Sequence, residues 1–403
     1  MTVEWKDLLN SKGEFDIPPE KWSALNESMT KAEIIGLLND AVDNTAMPFP
    51  FREMTLEGAV GDFCSLKFFN TGSITAESAW TSLHAYRYEK SNIVVGKSNV
   101  GMRSSNYFHR RHRYRCESNL YVASALRAWE DRTIRHHIFK PLWTMNVARV
   151  NSSEIRSCAT MRTHVAPQFR PSVAKFIYDR FGGGRVLDFS SGWGDRLSAA
   201  LATSSVTHYT GIDPNTNLHP GYQAQIEAYN RNVDGEVFDW FGSFTPKSIR
   251  MIESPAEDAD LGNDTYDIVF TSPPYFDRER YSNSVNQSWK RYRTPDAWLS
   301  GFMYPVIKKV WDHLRPGGHL CINIADLVFK HQRISLCDPM NDYIGTMPGA
   351  RYLGAIGMEM SSRPGKFRDG ATSRGGLSYV NGNTLADVPA QVYEPIWIWR
   401  KES

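Results

Sequence analysis

The stretch that decides the fold is Arg185-Val186-Leu187-Asp188-Phe189-Ser190-Ser191-Gly192-Trp193-Gly194. Its apolar start predicts a short buried strand, its two glycines predict a turn, and residues 195–203 continue with a helical pattern. Gly192 and Gly194 can adopt positive φ angles and let a ligand approach the backbone closely. The order strand, glycine turn, helix is a nucleotide-binding geometry, in which the acid at the strand end, Asp188, can meet an ammonium or hydroxyl group of a ligand. Because the third glycine of a dinucleotide fingerprint is missing, the spacing argues against a nicotinamide cofactor.

A second strand follows in register and also ends in an acid. Residues 207–213 read Thr-His-Tyr-Thr-Gly-Ile-Asp, and Asp213 lies about 20 residues beyond the glycine turn. A carboxylate at the carboxyl end of a neighbouring parallel strand is placed to accept hydrogen bonds from both hydroxyls of a ribose. An isolated Asp-Pro pair would otherwise predict a solvated turn.

A third strand pattern ends in a rigid tetrapeptide. Residues 267–276 read Asp-Ile-Val-Phe-Thr-Ser-Pro-Pro-Tyr-Phe. Pro273 and Pro274 fix two φ angles and remove two N–H donors, so the carbonyl groups there can point into a pocket. The Ser272 hydroxyl and the Pro273 carbonyl can accept hydrogen bonds from an exocyclic amino group, and Tyr275 supplies a ring for stacking. The alternative is a Pro-Pro turn that merely closes a strand.

In this order the segments resemble motifs of the S-adenosylmethionine (SAM)-dependent DNA amino-methyltransferases. Ser272-Pro273-Pro274-Tyr275 matches the (Asp/Asn/Ser)-Pro-Pro-(Tyr/Phe) form of motif IV, and the glycine turn after Asp188 resembles motif I. The resemblance covers residues 160–330 and, loosely, a last strand at 394–399. It implies an α/β protein with the class I SAM-dependent methyltransferase fold, which is Rossmann-like with a mostly parallel seven-stranded sheet, and S-adenosyl-L-methionine as the cofactor.

The resemblance also assigns roles to individual residues. Catalysis would fall to the tetrapeptide Ser272, Pro273, Pro274 and Tyr275. Phe169, ahead of a helix predicted at 172–181, resembles motif X, which contacts the methionine part of the cofactor. In the segment 249–258, Ser254-Pro255-Ala256 departs from the commonest Gly-Asp-Ala form, so the adenine contact would fall to Asp258 or Glu257. The cofactor-binding residues implied are Phe169, Asp188, Ser190, Gly192, Gly194, Asp213, Asp258 and Thr271.

A serine at the first position of motif IV resembles the cytosine-N4 subset of the family, whereas the adenine-N6 subset mostly carries aspartate. The resemblance therefore implies methyl transfer to an exocyclic amino group of a base in DNA, with cytosine N4 favoured over adenine N6. The biological setting would be a modification or restriction-modification system. RNA is the alternative acceptor. A third hypothesis is a methyltransferase-like subunit that only binds nucleic acid, against which the intact motifs argue.

Length and composition predict two domains. The chain has 403 residues, of which 41% are hydrophobic and 22% charged, as in ordinary globular proteins. We expect an N-terminal accessory domain, mostly helical or mixed, over residues 1–154 and a methyltransferase domain over 155–403. In the latter, a helix at 295–314 and a strand at 319–325 flank an Arg-Pro-Gly-Gly stop. Residues 331–390, with the Gly/Ser/Arg-rich stretch 364–376, predict a mobile or target-contacting loop region.

One segment ahead of the catalytic motifs is strongly basic. Residues 103–115 interleave five arginines with aromatic side chains, and arginine forks match phosphates while aromatic rings stack on bases. We expect nucleic-acid contacts there and just after motif IV, from Arg103, Arg110, Arg111, Arg113, Arg115, Phe276, Arg278 and Arg280. A solvated charged face is one alternative. Another is a zinc site from His109, His112 and Cys116 with His136 or His137, although the spacing fits no standard zinc module. Residues 119–143 could also be a core helix of a helical interaction domain.

The net charge and the cysteine pattern limit which partners and which cellular location are expected. The net charge is only +2, so contacts to DNA, or alternatively to RNA, would be concentrated in patches. The five cysteines are scattered, without Cys-x-x-Cys spacing, which predicts reduced thiols and a cytoplasmic location. The amino terminus lacks the apolar run of a signal peptide and the sequence has no membrane-spanning stretch, so no membrane contact is expected. We predict no metal, and these patterns do not specify an oligomeric state.

Overall fold

The computed structural model describes residues 3–119, 122–230, 246–329, 332–360, 364–366, 372–374 and 392–403. They fall into two compact units that alternate along the sequence. The first unit draws on Met1–Met54, Arg110–Pro167 and Glu279–Ser282, and the second on Thr55–His109, Gln168–Arg278 and Asn283–Ser403. The predicted division between residues 154 and 155 differs from these bounds, because residues 55–109 contribute two strands to the sheet of the second unit.

The strands are numbered in chain order. They are β1 Asp16–Ile17, β2 Thr75–Glu77, β3 Lys90–Val95, β4 Glu117–Ser118, β5 Val150–Asn151, β6 Arg185–Asp188, β7 His208–Ile212, β8 Ser248–Ile252, β9 Tyr266–Thr271, β10 Glu279–Arg280, β11 Leu314–Asn323, β12 Leu327–Phe329, β13 Gln332–Ile334, β14 Ala350–Glu359, β15 Pro364–Lys366, β16 Thr372–Arg374 and β17 Tyr393–Lys401.

The helices are numbered in the same way. They are α1 Pro19–Ser28, α2 Lys31–Thr45, α3 Leu56–Lys67, α4 Met102–Arg115, α5 Ala125–Glu130, α6 His136–Phe139, α7 Pro141–Thr144, α8 Ser152–Arg162, α9 Pro171–Phe181, α10 Asp195–Ala202, α11 His219–Tyr229, α12 Ser288–Arg291, α13 Pro295–Trp298, α14 Tyr304–Asp312 and α15 Cys337–Gly345. Short 3-10 turns lie at Trp5–Leu8, Thr71–Ile74 and Thr216–Leu218, and a π-helical turn, Leu299–Met303, joins α13 to α14.

The second unit is built on a mixed sheet, whose described strands have the order β2-β3-β14-β17-β11-β9-β6-β7-β8. Strands β11, β9, β6, β7 and β8 run parallel, whereas β17 is antiparallel to both of its neighbours, β11 and β14. The run from β14 to β8 has the strand order and the single reversed strand of the class I SAM-dependent methyltransferase fold, so the predicted fold class is confirmed. The sheet is wider than the predicted seven strands, because β2 and β3 extend its edge beyond β14.

Most predicted elements of the second unit lie close to their expected bounds. The glycine turn connects β6 to α10, and the next predicted strand is β7. The helix expected at 295–314 is α13, the π-helical turn and α14. Strand β11 begins earlier than expected, at Leu314, and its pairing with β9 is interrupted before His319. The Pro-Gly-Gly sequence in between therefore bends the strand instead of preceding it.

The core of the second unit explains why its central strands are so apolar. β6, β7 and β9 are buried along nearly their whole length, as expected of parallel strands covered on both faces. The apolar side of α14, with Val306, Val310 and Trp311, joins the same core as Leu187 and Val269. Burial of each such side chain stabilises the fold by about 1.5–3 kcal/mol. This packing fixes the carboxyl ends of the strands, where the conserved geometry of the fold places its ligands.

The first unit is mostly helical in its described residues. Its core contains Trp22, Leu38, Trp129 and Phe139. The core helix considered for residues 119–143 is divided into α5, α6 and α7. Arg135 is buried in this unit, where its guanidinium donates to the Trp129 carbonyl at 2.6 Å and to the Asp43 carboxylate at 2.8 Å. Its charge is therefore compensated inside the unit.

The predicted loop region 331–390 contains regular structure. Its described residues form β13, α15 and β14, and the short pair β15 and β16. The remainder of the Gly/Ser/Arg-rich stretch 364–376 lies outside the described residues, so the loop prediction stays untested there. Within the described part of the chain, no helix has the length and apolar character needed to span a membrane.

Candidate active site

Polar residues of five strands meet at one edge of the sheet in the second unit. β6 ends at Asp188, and β7 ends just before Asp213. β9 ends just before Ser272, and β11 ends at Asn323. Because β17 is antiparallel, its beginning, with Glu394, lies at the same edge. In open α/β sheets this carboxyl-terminal edge is where ligands bind.

Asp188 organises the centre of this edge. Its buried carboxylate accepts hydrogen bonds from the Thr271 hydroxyl at 2.9 Å, the Tyr209 hydroxyl at 2.8 Å, Arg196 Nε at 2.8 Å and the Ser190 N–H at 3.3 Å. Burial, together with the Asp188 charge, raises the pKa of Tyr209 well above its usual range, so this hydroxyl stays a donor. Asp188 therefore joins β6, β7, β9 and α10. This differs from the expected ligand contact, because protein donors already occupy both carboxylate oxygens.

The glycine turn adopts the backbone that its sequence predicts. Gly192 and Gly194 have φ angles of 56° and 72°, a region that favours glycine. A Cβ atom at Gly194 would collide with Gln225 Oε1, whereas one at Gly192 would meet nothing closer than the Ser190 carbonyl at 3.8 Å. The space above Gly192 is therefore open to a ligand, and Gly194 is needed for packing.

Asp213 lies beside this turn, as the sequence predicts. Its carboxylate accepts the N–H groups of Gly192 and Asn215, each at 2.9 Å. Burial raises the pKa of Asp213 to about 6, against the lowering effect of those two N–H groups. Oδ1 accepts the Asn215 N–H and Oδ2 accepts the Gly192 N–H, so each carboxylate oxygen has a second lone pair for a ligand hydroxyl.

Phe169 and Ser190 pack against the Asp188–Arg196 ion pair. The Arg196 guanidinium lies 5.4 Å from the centroid of the Phe169 ring, and the Ser190 carbonyl accepts a hydrogen bond from the same guanidinium. Phe169 also meets Phe270 of β9 edge to face, with 5.7 Å between ring centroids. The segment around Phe169 is thereby attached to the centre of the sheet.

Of the two acids expected to contact an adenine, Glu257 is the better shielded. Its side chain is 6% exposed, and it accepts the Tyr292 hydroxyl at 3.0 Å and pairs with Arg291 at 2.8 Å. Burial raises the pKa of Glu257. Asp258 is exposed and pairs with Arg291 at 2.7 Å. Glu257 is therefore the stronger candidate of the pair.

The tetrapeptide after β9 is held by a network of side chains. The Ser272 hydroxyl and the Tyr275 hydroxyl each lie 3.3 Å from Asn323 Oδ1. The Tyr275 hydroxyl also donates to Glu394, and Asn323 Nδ2 donates to the Pro395 carbonyl at 3.1 Å. Burial, followed by the Glu394 charge, raises the pKa of Tyr275 well above its usual range. Pro273 is buried and Pro274 half-buried beside this network.

Phe276 does not present the stacking surface that we expected. It is 7% exposed and belongs to the hydrophobic core of the second unit. Its φ angle of 51° is unusual for a non-glycine residue, and such backbone strain is concentrated at functional sites. The chain reverses there, with the Phe276 N–H bonded to the Pro274 carbonyl at 3.0 Å. Tyr275 is only partly buried and is therefore the aromatic residue of the tetrapeptide segment that keeps some exposed surface.

The basic segment predicted to bind nucleic acid is divided between the units. Arg103 is exposed in the second unit. In the first, Arg110 donates to the Arg52 carbonyl at 2.6 Å and Arg113 donates to the Ala166 carbonyl at 2.9 Å. These two guanidinium groups therefore already have acceptors within the first unit.

The remaining basic residues are more accessible. Arg111 is exposed, and Arg115 is exposed and paired with Glu130. Arg278 is half-buried in the second unit, while Arg280 is exposed on β10, which pairs with β4 in the first. Among the described residues, no group of three or more His, Cys, Asp or Glu side chains is placed to hold a metal ion.

Asn323 and Glu394 are the two site residues that sequence reasoning missed. Asn323 ends the strand expected after the Pro-Gly-Gly turn, and a polar residue at that position was an available signal. Glu394 begins the last predicted strand, but its place beside β11 follows only from the antiparallel pairing of β17.

No protein-family model and no curated protein matches the sequence. Among solved structures, TrmN from Thermus thermophilus aligns at 15% identity and a TM-score of 0.32, over 57% of this chain and 48% of TrmN, so this chain covers about half of that protein. TehB from Haemophilus influenzae aligns at 14% identity and a TM-score of 0.33, over 63% of this chain and 68% of TehB. An rRNA methylase from Streptococcus thermophilus aligns at 12% identity and a TM-score of 0.31, over 59% of this chain and all of that one. The strand order defines the fold class independently of these likenesses: this is a class I SAM-dependent methyltransferase fold.

Proposed function

We propose that the protein transfers a methyl group from S-adenosylmethionine to an exocyclic amino group of a base in DNA, most favourably cytosine N4. The observation that carries the proposal is the position of Ser272 and Tyr275 at the end of β9, next to the β6 strand that leads into the glycine turn. A cofactor on the turn and an amine on the tetrapeptide would then be neighbours.

The residues at this edge suit S-adenosylmethionine. Space is open above Gly192, and the Asp213 carboxylate has acceptor capacity left for ribose hydroxyls. Glu257 offers a shielded carboxylate to the adenine amino group, and Phe169 would flank the methionine part. Bound there, the cofactor supplies a methyl group on a positively charged sulfur. Asp188 and Thr271 act indirectly, because they hold the strands that carry these groups.

The tetrapeptide would orient and polarise the acceptor amine. The Ser272 hydroxyl and the Pro273 carbonyl accept its N–H groups, which directs the nitrogen lone pair toward the methyl group. A base in duplex DNA must leave the stack to reach this site, which costs on the order of a few kcal/mol. The partly exposed Tyr275 ring would offset part of that cost by stacking. Ser272 in place of an acidic residue favours cytosine N4.

Accessible arginines would supply the phosphate contacts, with Arg103, Arg111 and Arg280 as the exposed candidates. We also propose a cytoplasmic location, where the five cysteines, all unpaired in the structure, stay reduced.

Nucleoside mass spectrometry of DNA and RNA from a host that expresses the protein tests the proposal. N4-methylcytosine in DNA is the expected product, and its level should be lower in a host that expresses Ser272→Ala. Detection of N6-methyladenine would show that the target base is adenine. A methylated nucleoside found only in RNA would show that the acceptor is RNA. If neither nucleic acid gains a methyl group, the proposed function is wrong.

A further inference from the structure

We propose that Glu394 is a positioning residue of this site: by accepting the hydrogen bond of the Tyr275 hydroxyl, it reserves the Asn323 side-chain oxygen for the Ser272 hydroxyl. The inference rests on the proposed function, because it concerns how Ser272 receives the target amine.

The direction of each hydrogen bond follows from the donors available. Asn323 Nδ2 donates to the Pro395 carbonyl at 3.1 Å, which turns Oδ1 toward Ser272 and Tyr275. A serine hydroxyl has one proton and two lone pairs. When Ser272 donates its proton to Asn323 Oδ1, its lone pairs are left for the N–H groups of the amine.

Tyr275 competes for the same acceptor. Its hydroxyl is 3.3 Å from Asn323 Oδ1, as is the Ser272 hydroxyl, and it has one proton. An ionised Glu394 can only accept, and a hydrogen bond to a charged acceptor is the stronger one. The Tyr275 proton therefore goes to Glu394. Protonation of Glu394 removes the charge that favours this acceptor, and removal of Glu394 leaves no acceptor there. In both cases the Tyr275 proton can turn to Asn323, and the displaced Ser272 proton meets the N–H donors of the amine.

The surroundings of Glu394 make this arrangement sensitive to pH. Within the described part of the chain, the groups that face it are Tyr275, Asn323, Arg170 ahead of α9, and the Cys337 thiol at the start of α15. Burial raises the pKa of Glu394, against the opposing effects of the two hydrogen bonds and of the Arg170 charge. Ionisation is thus completed at a higher pH than for an ordinary glutamate, and the productive arrangement forms as pH rises.

The test compares kcat over a pH series for Glu394→Ala, Glu394→Gln, Tyr275→Phe and the double variant Glu394→Ala/Tyr275→Phe. Glu394→Ala should lower kcat by about 10- to 100-fold, the range for loss of a charged hydrogen-bond partner. Glu394→Gln keeps an acceptor that does not titrate, so the fall of kcat at low pH should disappear. Tyr275→Phe removes the competing proton, so the double variant should be more active than Glu394→Ala alone.

Several readouts separate this role from a general structural one. The affinity for S-adenosylmethionine should stay within about 2-fold in every variant, and Glu394→Gln carries the test if Glu394→Ala does not fold. Tyr352→Phe is the matched control, since its hydroxyl bonds the Glu89 carbonyl at 2.7 Å, and it should behave like the wild type. A double variant no more active than Glu394→Ala, with an unchanged pH profile in Glu394→Gln, would overturn the inference while the wild type still methylates. A wild type inactive on all DNA and RNA would overturn the proposed function and this inference together.

Discussion

The backbone N–H of Gly192 donates to the Asp213 carboxylate at 2.9 Å. This bond joins the turn after β6 to the end of β7, so one acid shapes the glycine turn and keeps acceptor capacity for a ligand.

Asp213→Ala should weaken S-adenosylmethionine binding by about 10- to 100-fold, since a hydrogen bond to a charged group contributes about 1.5–3 kcal/mol. Titration calorimetry measures the effect. Asp312→Ala is the control, because Asp312 is exposed and its ionic partner in the described part of the chain is Lys308. Equal affinity in all three proteins would contradict the assignment of Asp213 to the ribose.

The affinity for the cofactor should also depend on pH through Asp213. Its pKa is raised by burial to about 6, and ribose hydroxyls donate best to the ionised form. Binding therefore favours ionisation, so affinity should rise by about 10-fold for each pH unit up to about 6 and level off above it. Calorimetry at pH 5 and pH 7.5 measures this. The Asp213→Asn variant should bind weakly at both pH values, and a preserved pH dependence there would assign the effect to another group.

Ser272→Ala should reduce kcat by about 10-fold or more while leaving S-adenosylmethionine affinity nearly unchanged, since the hydroxyl meets only the acceptor. Tyr275→Ala should reduce it further, because stacking contributes about 1–3 kcal/mol per base. Single-turnover methyl transfer with parallel calorimetry measures both. If both variants lose the cofactor or the fold, the tetrapeptide is a structural turn.

Two neighbouring arginines should behave differently. Arg111 is exposed, so Arg111→Ala should reduce the slope of log affinity against log salt concentration by roughly 0.9 for duplex DNA. Arg113 donates to the Ala166 carbonyl through both Nε and Nη2, so Arg113→Ala should instead lower the melting temperature. Binding titrations at several salt concentrations and thermal unfolding distinguish them. An unchanged salt slope for Arg111→Ala would show that Arg111 contacts solvent and not phosphate.

Gly194→Ala should destabilise the protein more than Gly192→Ala. Positive φ costs either alanine about 1–2 kcal/mol, and only the Cβ at position 194 would collide with Gln225. Urea unfolding of the two variants gives the difference in free energy. Equal losses would mean that Gln225 moves aside without penalty.

The sequence predicted β6, β7 and β9 well because each of these strands carries local signals. The Asp188 glycine turn, the Asp213 strand end and the Pro-Pro tetrapeptide all depend on residues adjacent in the chain. Glu394 and Asn323 were missed because they meet the tetrapeptide only through the pairing of β17 with β11. Phe276 was misjudged for a related reason: its left-handed backbone turns the ring into the core, and a Tyr-Phe pair carries no local signal for that.

The strands at the edge of the sheet, β2 and β3, were even harder to predict from local sequence. Nothing near residues 75–95 predicts a place in the central sheet, because β3 finds its partner in β14, where Lys90 lies opposite Ala355. Similarly, the charge pattern of the sequence led us to expect that the Arg110 and Arg113 guanidinium groups would contact phosphates. Their acceptors are backbone carbonyls of Arg52 and Ala166, which no charge pattern identifies.

The pairing of β3 with β14 cannot form until late in synthesis on the ribosome. Ala355 follows Lys90 by most of the length of the chain, so β2 and β3 leave the ribosome long before their partner strand is translated. Until then, one side of β3 presents unpaired N–H and C=O groups, which is the state that invites aggregation. Because such distant pairings form slowly, we expect nascent chains that stop before residue 350 to need chaperones, whereas the full chain closes that edge itself.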